Sequence, residues 1–404
     1  AVRDALEAAG FEADTVQVVL ALEGEGGRAL VTHRDVARVI LTGSIDTART
    51  FAGWRPDVDV LAETSGKNAI VVTPSADVDV AVTDVVRSAF GHAGQKCSAA
   101  SLLILVGSAG TDDRLRRQLA DAVTSLRVGW PTDLGTVVGP LTTPAEGKLW
   151  RALTTLEAGE SWLVEPHPLD VPAAGLAEGR CRLWTPGVRS GVRPGSWFHL
   201  TEVFGPVLGV VRVATLDEAI DVQNAVAFGL TAGLHSLDEE EIARWKDRVE
   251  AGNLYVNRHT TGAIVQRQPF GGWKESVVGP GAKAGGPHYV AQLGRWHDAE
   301  GVPDRATEPE AWLQRSLASD ERVWAERFSR EHDPSRLTVE SNVLRYVPVP
   351  DAVVRVGGGA SAVEVRRVVA AAERCGVPVT LSVDPGWGDL PAEVRSADGD
   401  GHGA

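Results

Sequence analysis

The amino-acid sequence predicts an α/β protein with mainly parallel sheets, and three observations predict it. Apolar runs of strand length at residues 39–41, 69–72 and 101–106 each lead into a stretch with apolar residues at helical spacing. That alternation is the pattern of strands joined by crossover helices. A smaller unit of the same kind, strand then helix then strand, occupies residues 353–382 near the C-terminus.

The elements follow in order. Residues 1–9 read as a helix ended by Gly10. Residues 16–22 form an apolar run the length of a buried strand, and residues 29–36 a polar surface helix. Residues 39–44 make a strand that runs into a Gly-Ser turn, with a helix over 45–52. A strand at 69–72 precedes a helix over 77–89, and a strand at 101–106 precedes an amphipathic helix over 112–126. Residues 127–200 are rich in Pro, Gly and Trp. A strand at 203–213, a helix at 216–226 and a strand at 254–257 come next. The glycine-rich stretch 262–290 reads as a shaped loop, and 291–330 as charged and helical. The closing unit has strands at 353–356 and 377–382 around a helix at 361–374, then a tail over 398–404 expected to be disordered. Gly357, Gly358 and Gly359 sit between strand and helix, where a phosphate loop or a plain turn would both fit.

Bulk composition narrows the function. A chain of 404 residues is long for one core, so two or three domains are expected. A formal net charge of −14 argues against a nucleic-acid surface, which needs clustered basic charge. No apolar run reaches the roughly 18 residues that span a bilayer. Three cysteines exclude a dense disulfide framework. With no basic start leading into an apolar run, the expected location is the reducing cytoplasm.

Chemistry concentrates in four segments. Cys97 lies in Gly-Gln-Lys-Cys-Ser, a small-residue, lightly polar setting. A thiolate adds to an aldehyde and gives an adduct able to expel hydride, and the thioester left behind hydrolyses readily. The plainer reading is a buried structural cysteine. Glu63 ends a strand-like run before a Ser-Gly turn, where a carboxylate can activate water or simply face solvent. Thr42, Gly43 and Ser44 join an apolar strand to a helix, a geometry that aims N–H groups at an anion such as pyrophosphate. This is not the GxGxxG fingerprint. Thr201 to Val207 offers a carboxylate, Glu202, and an aromatic, Phe204, and equally reads as a strand entry with a Gly-Pro turn.

In order and spacing, the segments at Gly43, Glu63, Cys97 and Glu202 resemble those of the aldehyde dehydrogenase superfamily. Within it the chain resembles the L-glutamate γ-semialdehyde (1-pyrroline-5-carboxylate) dehydrogenases, and more closely the dehydrogenase half of the bifunctional proline utilization A proteins. The segments at residues 65–69, 153–157, 183–188, 260–263, 268–272 and 283–287 carry that resemblance, which covers residues 1–300.

The resemblance implies an aldehyde dehydrogenase-like fold: a partial Rossmann-like NAD domain, an α/β catalytic domain and a C-terminal Rossmann-like α/β extension. The implied divisions are 1–62, the C-terminal part of the NAD domain; 63–258, the catalytic domain; 259–300, a substrate-anchoring loop and return; 301–397, the extension; and the tail 398–404. Cys97 would be the nucleophile, its own N–H holding the oxyanion, and Glu63 the general base. Gly43 and Ser44 would face the NAD pyrophosphate, Glu202 the nicotinamide ribose and Phe204 its ring. Lys96, Ser98, Gly262, Ala263 and Phe270 would hold a carboxylate-bearing substrate, glutamate semialdehyde, with no metal. An asparagine completing the oxyanion hole, a lysine at the adenosine ribose and a proline dehydrogenase domain would lie upstream of residue 1, and the protein would be a homo-oligomer. The alternatives are a dehydrogenase for another semialdehyde such as succinate semialdehyde, and an inactive fragment or assembly module.

Overall fold

The computed structural model describes residues 1–20, 24–170, 182–297 and 299–384. The tail 398–404 and Cys181 lie outside the described residues. The chain divides into two compact units: residues 1–263 with 270–284, and residues 264–269 with 285–404.

The first unit opens with α1 (Val2–Ala8) and α2 (Glu25–Thr32). Strand β1 (Arg38–Thr42), helix α3 (Ile45–Trp54) and strand β2 (Asp59–Glu63) form a βαβ crossover, with β1 and β2 parallel and Thr42 opposite Glu63. Strand β3 (Asn68–Val72) follows after four residues and belongs to a different, larger sheet. Its five residues are all buried, as a strand covered on both faces must be, so it reads as an unbroken apolar run. Helix α4 (Val78–Phe90) starts at Asp77, whose carboxylate accepts from the N–H groups of Asp79 and Val80. Strand β4 (Ala100–Val106) and helix α5 (Asp113–Thr124), capped in the same way by Asp112, complete this half.

Helix α6 (Gly147–Thr154) then leads to β5 (Ser161–Val164), β6 (Pro168–Leu169), β7 (Leu183–Trp184) and β8 (Gly187–Ser190). After the short α7 (Trp197–Leu200) come β9 (Val207–Val213), α8 (Leu216–Asn224), β10 (Phe228–Gly229), β11 (Thr231–His235), α9 (Glu239–Arg248) and β12 (Asn253–Val256). The unit ends with β13 (Trp273–Lys274) and β14 (Val277–Val278). The main sheet has seven strands in the order β12-β11-β3-β4-β9-β8-β5, all parallel except the β5–β8 pair. Its core packs Phe90, Ile70, Ile104, Leu119, Phe198 and Trp245 with virtually no exposure.

The second unit contains α10 (Pro309–Val323) and, after it, β15 (Ala352–Val356), α11 (Ala362–Cys375) and β16 (Val379–Val383). Strands β15 and β16 are parallel, so the expected βαβ unit forms. Ser361 and Glu364 make a reciprocal capping box at the start of α11. The Glu364 carboxylate therefore occupies the helix N-terminus that a phosphate at Gly357 to Gly359 would need. Among the described residues no helix is long and apolar enough to cross a membrane.

Five local expectations change. The stretch 291–330, expected helical, forms among its described residues a helix only at Pro309–Val323 with the turn Trp324–Phe328 after it, and a single short turn at Ala291–Leu293 before it. The apolar run at 16–22 is not a strand over its described part: Val18, Val19 and Leu20 are 81%, 65% and 95% exposed. Apolar residues become a strand only beside a partner edge, and among the described residues none pairs with them. The helix expected at 29–36 lies at Glu25–Thr32, because His33 turns to extended backbone. The strand expected from 203 begins at Val207, which leaves 201–206 as a loop. The stretch 262–290 contains β13 and β14, and β14 pairs antiparallel with β2, a partner distant in sequence.

Candidate active site

Glu63 and Asn68 bracket the place where the chain leaves one sheet and enters the other. The link between them is buried throughout, from Thr64 to Lys67. Buried backbone must find partners, and the first three link residues show theirs. Thr64 N–H donates to the Ser276 carbonyl at 3.1 Å. The Ser276 hydroxyl donates to the Ser65 carbonyl at 2.6 Å, and Gly66 N–H donates to Glu202 Oε1 at 3.0 Å. A Cβ on Gly66 would stand 2.7 Å from the Cys97 carbonyl oxygen, so only glycine lets the link pass the nucleophile's turn.

Cys97 follows α4 through a tight turn in which His92 and Ala93 both take φ 54. Two successive left-handed non-glycine residues are costly and bring the chain sharply back toward β4. A turn closed by Ala99 N–H on the Lys96 carbonyl, at 3.0 Å, then presents Cys97 and Ser98. Asn68 moors this turn. Its Nδ2 donates to the Cys97 and Ala99 carbonyls at 2.7 and 2.9 Å, while its Oδ1 accepts from Thr231 N–H at 3.0 Å.

The electrostatics of the pair follow from burial. Burial pushes the Cys97 thiol up, the N–H groups of Ser98 and of Cys97 itself pull it down, and the carboxylates of Glu63 and Glu202 push it up again. Burial also pushes Glu63 up to about 7, against the pull of the Gly272 N–H and the Lys283 ammonium. A carboxyl group in that range can take and return protons near neutrality.

The remaining expected residues fall around this centre. Ser98 is buried and its carbonyl accepts from the Thr260 hydroxyl at 3.0 Å, while Thr260 N–H donates to Ser88 Oγ. Thr260 thus ties the exposed Gly262 and Ala263 to the nucleophile's turn, with Gly262 at φ 81. Lys96 is half-buried in the same turn, and half-buried Phe270 pairs with Ala284 through two backbone bonds. On the cofactor side, Ser44 caps α3 by accepting from Thr47 N–H. Gly43 N–H is already engaged by the Glu63 carbonyl at 3.2 Å, so the free end of this turn is the first turn of α3. Phe204 is held at φ 54 with 39% of its surface open, and Gln95 Nε2 donates to its carbonyl.

Sequence reasoning gave no role to Lys67, Asn68 or Lys283, although all three stand inside quoted segments. Lys67 is wholly buried; its Nζ stands 4.1 Å from the centre of the Phe198 ring, with the Arg189 guanidinium 4.7 Å from the same ring. Burial pulls its pKa down to about 7, against the attraction of Glu202. A lysine or asparagine beside an apolar strand-forming run was the signal available.

The fold and this site bring together a thiol, a carboxyl group that titrates near neutrality and a strand–turn–helix element suited to an anion. The aldehyde dehydrogenase family pattern matches residues 1–296, and the chain belongs to that family. The bifunctional protein PutA of Rhizobium meliloti is 37% identical over 313 residues, which cover 71% of this chain and 23% of that protein. The solved structure of proline utilization A from Corynebacterium freiburgense is 49% identical with a TM-score of 0.85, over 98% of this chain and 41% of that one. A Thermus 1-pyrroline-5-carboxylate dehydrogenase solved with bound NAD is 32% identical with a TM-score of 0.61, over 72% and 55%. The chain thus spans between about a quarter and about half of the proteins it matches.

Proposed function

We propose that this chain is the aldehyde-oxidising part of an enzyme that converts L-glutamate γ-semialdehyde to L-glutamate with NAD. The observation that carries the reading is that Glu63 ends a strand of one sheet, Cys97 stands in the turn before a strand of the other, and the Glu63 carboxylate still raises the thiol's proton affinity. The names of the relatives favour this semialdehyde over succinate semialdehyde.

Ser44 and the first turn of α3, Glu202 and Phe204 would hold NAD. The open Phe204 ring offers a flat apolar face, and the α3 N-terminus suits pyrophosphate. When bound, NAD supplies the hydride acceptor. Cys97 gives up its proton to solvent, and its sulfur bonds to the aldehyde carbon while the N–H groups of Cys97 and Ser98 would face the oxygen. Loss of hydride from that carbon leaves a thioester on Cys97. Glu63 then takes a proton from water, the hydroxide adds to the thioester, and the C–S bond breaks to release the acid, with the proton passing from Glu63 back to the departing sulfur. Ser98, Gly262 and Ala263 would face the substrate's far carboxylate, with Lys96 and Phe270 completing its surroundings. In the full-length protein a proline dehydrogenase domain would supply the substrate.

The test is NADH formation from glutamate semialdehyde by the full-length protein beside Cys97→Ala. Turnover in the wild type and none in the variant is expected; equal turnover overturns the assignment. A second reading, an assembly module active only with further chain around it, is favoured by one observation. Ile40 on β1 is 56% exposed, as are the apolar residues 18–20 to a greater degree. Titration of NAD into the 404 residues alone separates the two, since micromolar binding would overturn the second.

A further inference from the structure

Lys283 is a half-buried cation that the proposed chemistry does not use. Its Nζ donates to the Gly252 carbonyl at 2.7 Å, the Gly271 carbonyl at 2.5 Å and Asn253 Oδ1 at 3.3 Å. Asn253 Oδ1 also accepts from Gly271 N–H at 3.1 Å. The ammonium therefore clasps both polar groups of Gly271, one directly and one through Asn253. The next residue, Gly272, gives its N–H to Glu63 Oε2 at 3.2 Å. A Cβ on Gly271 would lie 3.0 Å from Glu63 Oε1 and 3.1 Å from Lys283 Cγ. The strap is thus wedged between the two side chains, and its lack of a side chain lets them approach.

We infer that Lys283 is the positioning residue for Glu63: it fastens the Gly271–Gly272 strap onto the carboxylate and supplies the positive charge against which that carboxylate ionises. The inference rests on the reading of Glu63 as the base. The neighbouring strands present Thr42 and Val277, both uncharged. The nucleophile's turn brings Cys97, and Lys67 on the link faces Glu202. Lys283 is the cation that acts on Glu63, and the effect is mutual: Glu63 raises the Lys283 pKa, which burial otherwise pulls down to about 8. A purely structural lysine would hold the strap equally well without its charge mattering, and the experiment separates the two.

Thioester hydrolysis is followed in the full-length protein as steady-state NADH formation against pH, normalised to the pre-steady-state NADH burst. Lys283→Gln keeps donors for the carbonyls but removes the charge. Its rising limb should move upward by about one pH unit, because an opposite charge nearby lowers a carboxyl pKa by at least that much. Lys283→Arg keeps the charge and should bring the limb back. A limb in Lys283→Gln that stays within about 0.2 pH units of wild type overturns the inference while leaving the proposed function standing. A wild type that forms no NADH overturns the function and this inference with it. A second measurement does not depend on the Lys283 variants folding. With 13Cε-labelled lysine, the Lys283 titration near 8 should move downward in Glu63→Gln, since coupling between two sites is reciprocal. An unmoved Lys283 titration overturns the inference.

Discussion

Replacing Glu63 by Gln should make the protein more stable and nearly inactive, and the pH dependence of the gain is the sharper test. Glu63 is carried into the junction of two sheets, where burial raises its pKa from 4.5 to about 7. The folded state therefore holds this proton more tightly than the unfolded chain does. The favourable contribution of the protonated carboxyl is fully present below about 4.5 and is lost as pH rises through about 7. A shift of roughly 2.5 units at 1.36 kcal/mol each gives about 3 kcal/mol. Glutamine copies the shape of the neutral carboxyl, and its amide oxygen can still accept the Gly272 N–H. Glu63→Gln should therefore match wild type at pH 4.5 and exceed it by about 3 kcal/mol at pH 8.5. Urea unfolding followed by tryptophan fluorescence at the two pH values measures both. An equal difference at both pH values, or a less stable variant at pH 8.5, would refute the argument that a buried charge is being carried. In the same variant, turnover should fall by about 10²–10⁴ as the base is lost.

Two further outcomes are expected. Asn68→Ala orphans the Cys97 and Ala99 carbonyls and the Thr231 N–H, and should cost about 3–5 kcal/mol in urea unfolding. Its turnover should fall about 100-fold, because the turn bearing the thiol loses its mooring; a variant within 1 kcal/mol and twofold of wild type would show that the asparagine is dispensable. Lys67→Met should be more stable than wild type at pH 6 by about 3–5 kcal/mol, with the gap closing as pH approaches 10. The sign follows from a folded pKa of about 7 against 10.5: the cost of the buried ammonium is fully present below about 7 and relieved as pH rises. Unfolding curves across pH 6–10 check it, and a gap that widens with pH would contradict the reading.

Much of the fold was legible because its elements advertise themselves locally. Buried parallel strands such as β3 and β4 leave unbroken apolar runs, and Asp77 and Asp112 mark the starts of α4 and α5 by their capping chemistry. The run at 16–20 misled for the same reason, since apolar composition says nothing about whether a partner edge is present. The pairing of β14 with β2 was invisible in a glycine-rich stretch, because a two-residue strand has no period of its own. Cys97 and Glu63 could be named from their segments. Lys67, Asn68 and Lys283 could not be given roles, because nothing in a lysine or asparagine tells which distant carbonyl or ring it will meet.

By itself the sequence determined the alternation of strands and helices over residues 38–126 and 352–383, the thiol and the carboxylate, and the family to which they belong. These depend on local periodicity and on short segments whose residues lie side by side. Only the tertiary structure decided how that thiol and carboxylate are conditioned. The link from Glu63 to Asn68 crosses between two sheets, and Asn68 fastens the turn of Cys97. The strap at Gly271 and Gly272 reaches Glu63 from more than 200 residues away. Burial at that crossing raises both proton affinities, and burial is a property of the packed molecule rather than of any segment.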